Sequence, residues 1–333
     1  MRAAIYGVAG FELTEEERAF LRDAEPAGMI IFRRNCDTPE QLLRLTDALR
    51  EITGRGDLPI LIDQEGGRVA RMRPPAWPAF PAAERFARLY EAAPSSAIEA
   101  VRSNARALGL MLRSCGINVN CLPLLDVRQE GATDIIGDRA LGSEPIQVAA
   151  LGRAVLDGMA SAGVVGVIKH IPGHGRTMVD SHHDLPRVTA SRAELSRTDF
   201  VPFKRLADLP WGMTAHILYE AIDPEQPATL SAKVISDIIR GEIGFDGLLL
   251  SDDLSMKALR GGLGDLARRS VAAGCDIALH CNGKMEEMVE VAAGAPPLSK
   301  AGLERYTRGR RQVGKGQPVK LDQVAKELTA LLA

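Results

Sequence analysis

The sequence predicts an α/β protein folded as a single (β/α)8 barrel. Short apolar segments rich in Val, Ile and Leu recur along the 333 residues, eight of them can be counted, and amphipathic segments lie between them. Continuous apolar strands that alternate with helices indicate a parallel sheet covered by helices on both faces. A doubly wound open sheet shares this pattern, but eight repeated units favour the closed barrel.

Each predicted strand is a short apolar run, and the eight runs begin at Ala3, Gly28, Leu58, Ile117, Gly163, Trp211, Gly247 and Cys275. Helix start signals stand between several of them. Thr14 precedes EEERAFLRDA, Thr38-Pro39-Glu40 precedes QLLRLTDALREI, and Ser231 precedes AKVISDIIRGEIG. A hydroxyl at the N-cap and a proline in the first turn both favour helix initiation at these points.

Two segments are longer than the repeat requires. Residues 81–116 predict a pair of helices with a break near Pro94, and the polar residues after Pro296-Pro297 predict helices packed on the outside of the barrel, at about 298–333. Neither segment resembles a second domain. We therefore expect residues 1–333 to form one catalytic barrel domain.

The composition argues against several classes of partner. The chain has 41 basic and 43 acidic residues, a formal charge of -2 and no block of like charge, so a nucleic-acid or anionic-membrane surface is not expected. No segment approaches the roughly 18 apolar residues of a membrane span. The five cysteines are odd in number and lack CxxC spacing, which indicates a reducing compartment. We predict a cytoplasmic protein.

Ionisable residues follow five of the predicted strands, namely Asp63, Asp126, Lys169, His170, His216, Asp252 and Asp253. Any one of them alone has an ordinary explanation as a helix cap or a buried ion pair. In barrels of this kind, however, the chemistry gathers at the carboxyl ends of the strands. Five such ends together therefore predict a functional site.

The densest group of these residues is KHIPGHGRTMVDSHHDLP, residues 169–186, which holds four of the six histidines. One interpretation is a metal site, but the spacing and the absence of a cysteine ligand match a zinc hydrolase poorly. The other is acid–base chemistry by an Asp-x-His unit, in which Asp180 orients His182 so that the imidazole gives and retrieves a proton. We predict no metal and no cofactor.

Asp252 supplies a carboxylate at the end of another buried strand, within GFDGLLLSDDLSM. The sequence offers no Ser-His or Cys-His pairing that would indicate acyl transfer. A carboxylate nucleophile together with a proton donor indicates glycoside hydrolysis.

The motifs themselves resemble glycoside hydrolase family 3. The resemblance rests on KHIPGHGRTMVDSHHDLP and on DQEGGRVARMR, GDRALG, MTAHILY and SDDLSM, which begin at Asp63, Gly137, Met213 and Ser251. It extends over about nine-tenths of the chain, and within the family the motifs are similar to those of the single-domain bacterial β-N-acetylglucosaminidases of cell-wall recycling.

Carried over to this chain, the resemblance implies that Asp252 is the nucleophile, His182 the general acid/base and Asp180 its orienting partner. The residues implied to hold the N-acetylglucosamine unit are Asp63, Arg71, Arg139, Lys169 and His170. The roles of four further residues in these motifs stay open, namely Asp253, His174, His216 and Met256.

The resemblance thus implies a retaining exo-β-N-acetylglucosaminidase whose substrate is a small muropeptide: N-acetylglucosamine linked to 1,6-anhydro-N-acetylmuramic acid, with or without peptide. We also expect a monomer. Three alternatives stay open. The neighbouring Asp252 and Asp253 superficially match a substrate-assisted hexosaminidase, in which the 2-acetamido group is the nucleophile. The others are a metal-dependent barrel hydrolase and a sugar-binding protein without turnover.

Overall fold

The protein is described by a computed structural model, which covers residues 1–132, 134–177 and 185–311 together with the single residues 313 and 326. All eight predicted strands are present. They are β1 Arg2–Gly7, β2 Pro26–Ile31, β3 Ile60–Ile62, β4 Val119–Asn120, β5 Val165–Ile171, β6 Trp211–Thr214, β7 Leu248–Asp253 and β8 Ile277–His280.

These strands close into a barrel in the order β1-β8-β7-β6-β5-β4-β3-β2, and every neighbouring pair is parallel. Closure is made by β1 and β8, where Ile5 is in register with Leu279. An open doubly wound sheet would leave two strand edges unpaired. The predicted (β/α)8 barrel is therefore confirmed. Two short strands, Arg187–Val188 and Leu218–Tyr219, form a separate pair.

The helices that surround the barrel are α1 Glu15–Ala24, α2 Pro39–Thr53, α3 Ala83–Ala92, α4 Pro94–Ser114, α5 Pro145–Ser161, α6 Arg192–Arg197, α7 Phe200–Arg205, α8 Leu263–Ala273, α9 Met285–Gly294 and α10 Lys300–Arg310. A π-helical segment, Val234–Glu242, stands between β6 and β7, and short 3₁₀ turns lie at Arg33–Asn35, Gly137–Arg139 and Ala228–Leu230.

The predicted helix starts are confirmed by their capping bonds. The Thr14 hydroxyl accepts a hydrogen bond from the Glu17 N–H at 3.1 Å, and the Glu17 carboxylate accepts one from the Thr14 N–H at 2.9 Å. Thr38 caps α2, with a proline in its first turn. The Ser231 hydroxyl accepts from the Val234 N–H at 3.0 Å. These side chains satisfy donors that a helix start leaves without an internal partner.

The first of the two longer segments has the predicted character. Residues 81–116 contain the helix pair α3 and α4, which break at Ala93. After Pro297, α10 lies across the amino-terminal ends of the strands, where the Tyr306 hydroxyl donates to the Ala27 carbonyl at 2.7 Å. The helix predicted beyond it falls outside the described residues.

Alternation along the strands separates two layers of core. Leu248 and Leu250 point into the barrel with Ile5, whereas Leu249 packs outward against the helices. Because apolar side chains fill the interior, the polar groups of the strands are concentrated at their carboxyl ends, which is where the chemistry of such barrels gathers. Among the helices that are described, none is both long and apolar enough to cross a membrane.

Candidate active site

A cavity of about 290 Å³ opens at the carboxyl ends of the strands. Six of the eight predicted site residues line it, namely Asp63, Arg71, Arg139, Lys169, His170 and Asp252. His174, Asp253 and Met256 line it as well. The predicted Asp180 and His182 lie outside the described residues.

Five charged residues form one side of this cavity, and we refer to Asp63, Glu65, Arg71, Arg139 and Lys169 as the charged cluster. Lys169 Nζ lies 2.9 Å from Asp63 Oδ1 and 2.8 Å from Glu65 Oε1. Arg139 donates to both Glu65 oxygens at 2.8 Å, and Arg71 donates to Asp63 Oδ2 at 3.1 Å. Each carboxylate thus joins two cations.

The electrostatics of the charged cluster favour the ionised form of its members. Burial by itself raises the pKa of Asp63, but the neighbouring Lys169 and Arg71 outweigh it and lower that pKa. In the same way Lys169 and Arg139 overcome burial and lower the pKa of Glu65 to about 2. The pKa of Lys169 is raised despite burial, because Asp63 and Glu65 face it. Three cations against two carboxylates leave this side of the cavity positive.

The loop after β3 is folded so that these side chains face the cavity. Gln64 is its internal brace: its side-chain oxygen accepts the N–H groups of Arg71 at 2.7 Å and Met72 at 3.0 Å, and its amide donates to the Met72 carbonyl at 2.9 Å. Gly66 turns the chain at φ +99°, and a Cβ there would lie 2.3 Å from the Pro81 carbonyl oxygen. No other residue fits that position without displacing the backbone.

Glu65 is a site residue that the sequence reasoning missed. Its side chain is 4% exposed, and it is the group that holds Lys169 and Arg139 side by side. The available signal was its position two residues after Asp63 within DQEGGRVARMR. Nothing in the sequence indicated that its partners would be Arg139, 74 residues away, and Lys169.

A second buried carboxylate, Asp126, positions the first histidines of the 169–186 segment. Its Oδ2 lies 2.7 Å from His170 Nδ1, and its Oδ1 accepts the backbone N–H groups of His170 at 3.1 Å and His174 at 2.7 Å. Burial raises its pKa, but His170 outweighs that effect and the pKa falls to about 2. With Nδ1 bound to this carboxylate, His170 presents its other ring nitrogen to the cavity.

His174 is neutral in this setting. Burial and, to a smaller extent, the nearby His170 lower its pKa to about 4. Its Nδ1 lies 3.0 Å from the Thr177 hydroxyl, and its ring meets the His170 ring edge to face at 5.3 Å. A neutral imidazole at pH 7 suits a lining group that contributes hydrogen bonds and no charge.

Asp252 stands at the end of β7, across the cavity from the charged cluster. Burial raises its pKa, but His216 and His170 outweigh burial and the net shift is downward. Among the residues described, its one hydrogen bond comes from the Asp253 N–H to Oδ1 at 2.8 Å. Asp252 is therefore an ionised carboxylate whose second oxygen accepts no hydrogen bond from the described residues.

Asp253, its neighbour, is fully engaged in holding the strand end. Its Oδ1 accepts from the N–H groups of Ser255 at 3.1 Å and Cys281 at 3.2 Å, and its Oδ2 accepts from the Ser255 hydroxyl at 2.7 Å. His216 lies behind it, with Nε2 2.9 Å from the Asp253 carbonyl and Nδ1 2.7 Å from the Thr229 hydroxyl. Adjacent carboxylates thus have different surroundings.

The pocket contains the ionised carboxylate of Asp252 together with the cations of the charged cluster. This arrangement is consistent with the family that the motifs resemble. Comparison of the whole chain decides the point, because the model of the glycosyl hydrolase family 3 N-terminal domain matches residues 4–303. The chain belongs to glycosyl hydrolase family 3. The predicted resemblance is confirmed, and the protein is a glycoside hydrolase.

Relatives of this family 3 protein agree along most of their length. A beta-hexosaminidase of Alkalilimnicola ehrlichii is 42% identical over 280 residues, covering 83% of this chain and 79% of the relative. NagZ from Neisseria gonorrhoeae in complex with N-trifluoroacetyl-D-glucosamine is 32% identical with a TM-score of 0.87, covering 100% of this chain and 98% of that one. The same enzyme in complex with zinc ion superposes equally well, at 0.87.

Metal ligation was the alternative considered for the histidine-rich segment of this family 3 chain. Within residues 1–132, 134–177 and 185–311, no three or more His, Cys, Asp or Glu side chains are arranged to hold a metal ion. His182, His183 and their neighbouring aspartates fall outside these ranges. All five cysteines are free, buried thiols.

Proposed function

We propose that the protein is a retaining exo-β-N-acetylglucosaminidase with Asp252 as its nucleophile. The observation that carries the proposal is the state of Asp252: its pKa is lowered, one of its oxygens has no hydrogen bond among the described residues, and it shares a cavity with the charged cluster. An ionised carboxylate with a free oxygen facing a sugar pocket is suited to attack at the anomeric carbon.

The shape and charge of the cavity support recognition of one terminal sugar. Sugar hydroxyls need both donors and acceptors, and the charged cluster offers guanidinium, ammonium and carboxylate groups on one side. A volume of about 290 Å³ suits a single sugar unit better than a polysaccharide chain. The naming of the relatives as beta-hexosaminidases supports N-acetylglucosamine as that unit.

The reaction proceeds in two displacements. Asp252 attacks the anomeric carbon, the bond to the leaving oxygen breaks, and His182 protonates that oxygen. Water then attacks the glycosyl-aspartate, His182 takes the proton of the water, and Asp252 leaves as a carboxylate. Asp180 orients His182 in both steps. The engagement of Asp253 with Ser255 and Cys281 supports this route over substrate assistance, in which both carboxylates would face the sugar.

As substrate we propose a muropeptide, in which N-acetylglucosamine is linked to 1,6-anhydro-N-acetylmuramic acid with or without peptide, and as role the recycling of cell wall in the cytoplasm. The free thiols of all five cysteines support a reducing compartment. We further propose that residues 1–333 act as one monomeric domain and that the reaction uses neither metal nor cofactor.

The direct test of activity compares two aryl glycosides. Release of 4-nitrophenol from its β-N-acetylglucosaminide should exceed release from the β-glucoside by at least about tenfold in kcat/KM, because the pocket would recognise the acetamido group. A 2-deoxy-2-fluoro glycoside should leave its sugar on Asp252. Equal turnover of both aryl glycosides, or trapping without a label on Asp252, contradicts the proposal.

The acid/base role of His182 is tested by the leaving group. His182→Ala should slow the natural disaccharide strongly, because a sugar alcohol needs a proton to depart, and should slow an activated aryl glycoside less in its first step. Hydrolysis of the glycosyl-enzyme then limits turnover, so a burst of phenol should appear. Asp180→Ala should give a weaker form of the same pattern. An equal loss on every leaving group, without a burst, contradicts the role.

A further inference from the structure

The two arginines of the charged cluster are held in different ways. The side chain of Arg139 donates to both oxygens of Glu65 and, at 3.1 Å, to the Ile135 carbonyl. The side chain of Arg71 donates to Asp63 alone among the described residues, at 3.1 Å. Its Nε is buried and has no hydrogen-bond partner within that part of the chain. A single hydrogen bond leaves a guanidinium group free to turn about that bond, so Arg71 needs a further support.

The aromatic ring of Phe32 gives Arg71 that second contact. Phe32 directly follows β2 and is the only Phe, Tyr or Trp in the described lining of the catalytic cavity. The guanidinium carbon of Arg71 lies over the ring, 4.8 Å from the ring centroid. A cation at this distance is attracted by the negative face of an aromatic ring, and the attraction is larger where water is excluded.

Phe32 is itself tied to the ends of two other strands. Its N–H donates to Asn35 Oδ1 at 2.9 Å, and the guanidinium carbon of Arg34 lies over the same ring at 5.1 Å. Arg34 in turn donates to the carbonyl groups of Val8, at 2.8 Å, and Cys281. Val8 follows β1 and Cys281 follows β8, the two strands that close the barrel. The ring therefore has supports of its own and can hold a neighbouring group in place.

A contact with a ring face leaves the donors of a guanidinium group available. An ion pair of the kind that Arg139 makes with Glu65 occupies two N–H donors with carboxylate oxygens. The ring of Phe32 offers no oxygen acceptor, so Arg71 keeps donors other than the one that Asp63 holds. Sugar hydroxyl groups are suitable acceptors for such donors.

We propose that Phe32 is a positioning residue for sugar binding, which holds the guanidinium group of Arg71 in one orientation while its free donors stay available to the sugar hydroxyls. This inference rests on the proposed function, because it takes Arg71 as a group that binds N-acetylglucosamine. A leucine at position 32 is also apolar but has no aromatic face to attract the cation. Loss of the ring should therefore weaken sugar binding and leave the chemistry at Asp252 intact.

Binding and turnover are measured separately for Phe32→Leu. KM for 4-nitrophenyl β-N-acetylglucosaminide and the inhibition constant of free N-acetylglucosamine should each rise by about three- to tenfold, the value of one partly desolvated cation–π contact. kcat should stay within about twofold of wild type, because a contact made equally in the ground and transition states changes KM alone. A partly unfolded preparation would instead lose kcat and keep its KM. Phe32→Tyr, which restores the ring, should bring both constants back to within about twofold of wild type.

A double-mutant cycle tests whether Phe32 acts through Arg71. In Arg71→Ala, which has no guanidinium group to position, adding Phe32→Leu should change the inhibition constant by less than about twofold. In Arg139→Ala, the same replacement should keep its full effect. Phe20→Leu is the matched control, because Phe20 is half-buried like Phe32 and its ring also has an aromatic partner, Tyr6, but it does not line the cavity. It should change neither constant.

The outcomes distinguish this inference from the function on which it rests. If Phe32→Leu weakens inhibition as much in Arg71→Ala as in the wild-type background, the ring acts on the sugar or on another residue, and the inference is wrong. An unchanged inhibition constant in Phe32→Leu overturns it as well. Phe32→Met gives the same test if the leucine variant does not fold. If the folded wild-type enzyme releases no 4-nitrophenol from the N-acetylglucosaminide, the glycosidase proposal itself fails.

Discussion

The carboxylates on the two sides of the cavity have opposite surroundings. On one side, Asp63 and Glu65 are each bound to two cations at 2.8–3.1 Å. On the other, Asp252 has a single described hydrogen bond, from a backbone N–H, and its charge is favoured by histidines at a distance. All three have a lowered pKa, so ionisation alone does not distinguish them.

What distinguishes these carboxylates is how many hydrogen bonds and ion pairs their oxygen atoms make. A carboxylate whose lone pairs are held by ammonium and guanidinium groups is a poor nucleophile but a rigid support for neighbouring donors. A carboxylate that is kept ionised by charges it does not touch retains a free oxygen for attack. Under the proposed function, the same residue type therefore serves binding on one side of the pocket and chemistry on the other.

The largest expected effect tests the chemical side. Asp252→Ala should lower kcat by at least about a thousandfold, because the covalent route loses its nucleophile. Asp253→Ala is the control, and it should be much milder on kcat while lowering the melting temperature, since Asp253 holds Ser255 and Cys281. Retention of a tenth of wild-type kcat by Asp252→Ala, or an equal loss in both variants, contradicts the distinction.

A smaller effect is expected on the binding side. Glu65→Gln removes the carboxylate that holds Arg139 and Lys169 together, so kcat/KM should fall by about 10- to 100-fold, the value of one or two charged hydrogen bonds. Glu99→Gln, which alters an exposed pair with Arg102 on α4, is the matched control. A Glu65→Gln enzyme that is folded and within twofold of wild type would show that the charged cluster does not depend on this group.

Asp126 is a third kind of carboxylate, because both of its oxygens are engaged by His170 and His174. Its pKa is about 2 in the folded protein, below the ordinary value of 3.8, so its ionisation stabilises the fold above about pH 4, and this contribution is lost as the pH falls toward 2. Asp126→Asn should therefore lower the free energy of unfolding at pH 7 by about 2 kcal/mol.

Urea unfolding at pH 7, 4, 3 and 2 measures this contribution. The difference between wild type and Asp126→Asn should be largest at pH 7 and should shrink below pH 4. Asp157→Asn, at an exposed position on α5, should unfold like wild type at every pH. A difference for Asp126→Asn that stays constant from pH 7 to pH 2 would falsify the assignment of the effect to ionisation.

Removal of metal ions is expected to have no effect on activity. Because ion pairs already hold the binding side together, prolonged treatment with EDTA should leave kcat/KM within experimental error of the untreated enzyme. Activity is measured before treatment, after removal of the chelator by gel filtration, and after addition of zinc. Loss of activity with EDTA and its recovery with zinc would show that the enzyme needs a metal, and the histidine-rich segment would then be the candidate metal site.

Much of the pocket could be predicted because strand periodicity and short motifs are local properties. Apolar runs mark the strands, and Asp63, Lys169, His170 and Asp252 come at or just after the ends of those runs, which the structure places at the carboxyl ends of the strands. Parallel closure then brings all such ends to one face. Glu65 escaped this reasoning, because its orientation depends on the turn at Gly66 and its partners lie 74 and 104 residues away in the chain.

By itself the sequence determined the barrel, the family and the presence of two adjacent carboxylates at the end of β7. Which of those two keeps an oxygen without a hydrogen bond from the described residues is seen only in the tertiary structure. The N–H of Cys281, from the strand end next to β7, and the Ser255 backbone and hydroxyl engage Asp253, whereas Asp252 faces the charged cluster across the cavity. The hydrogen bonds that a carboxylate accepts depend on neighbours brought together by folding. Residue type and spacing in the sequence therefore do not show which of two adjacent carboxylates keeps a free oxygen.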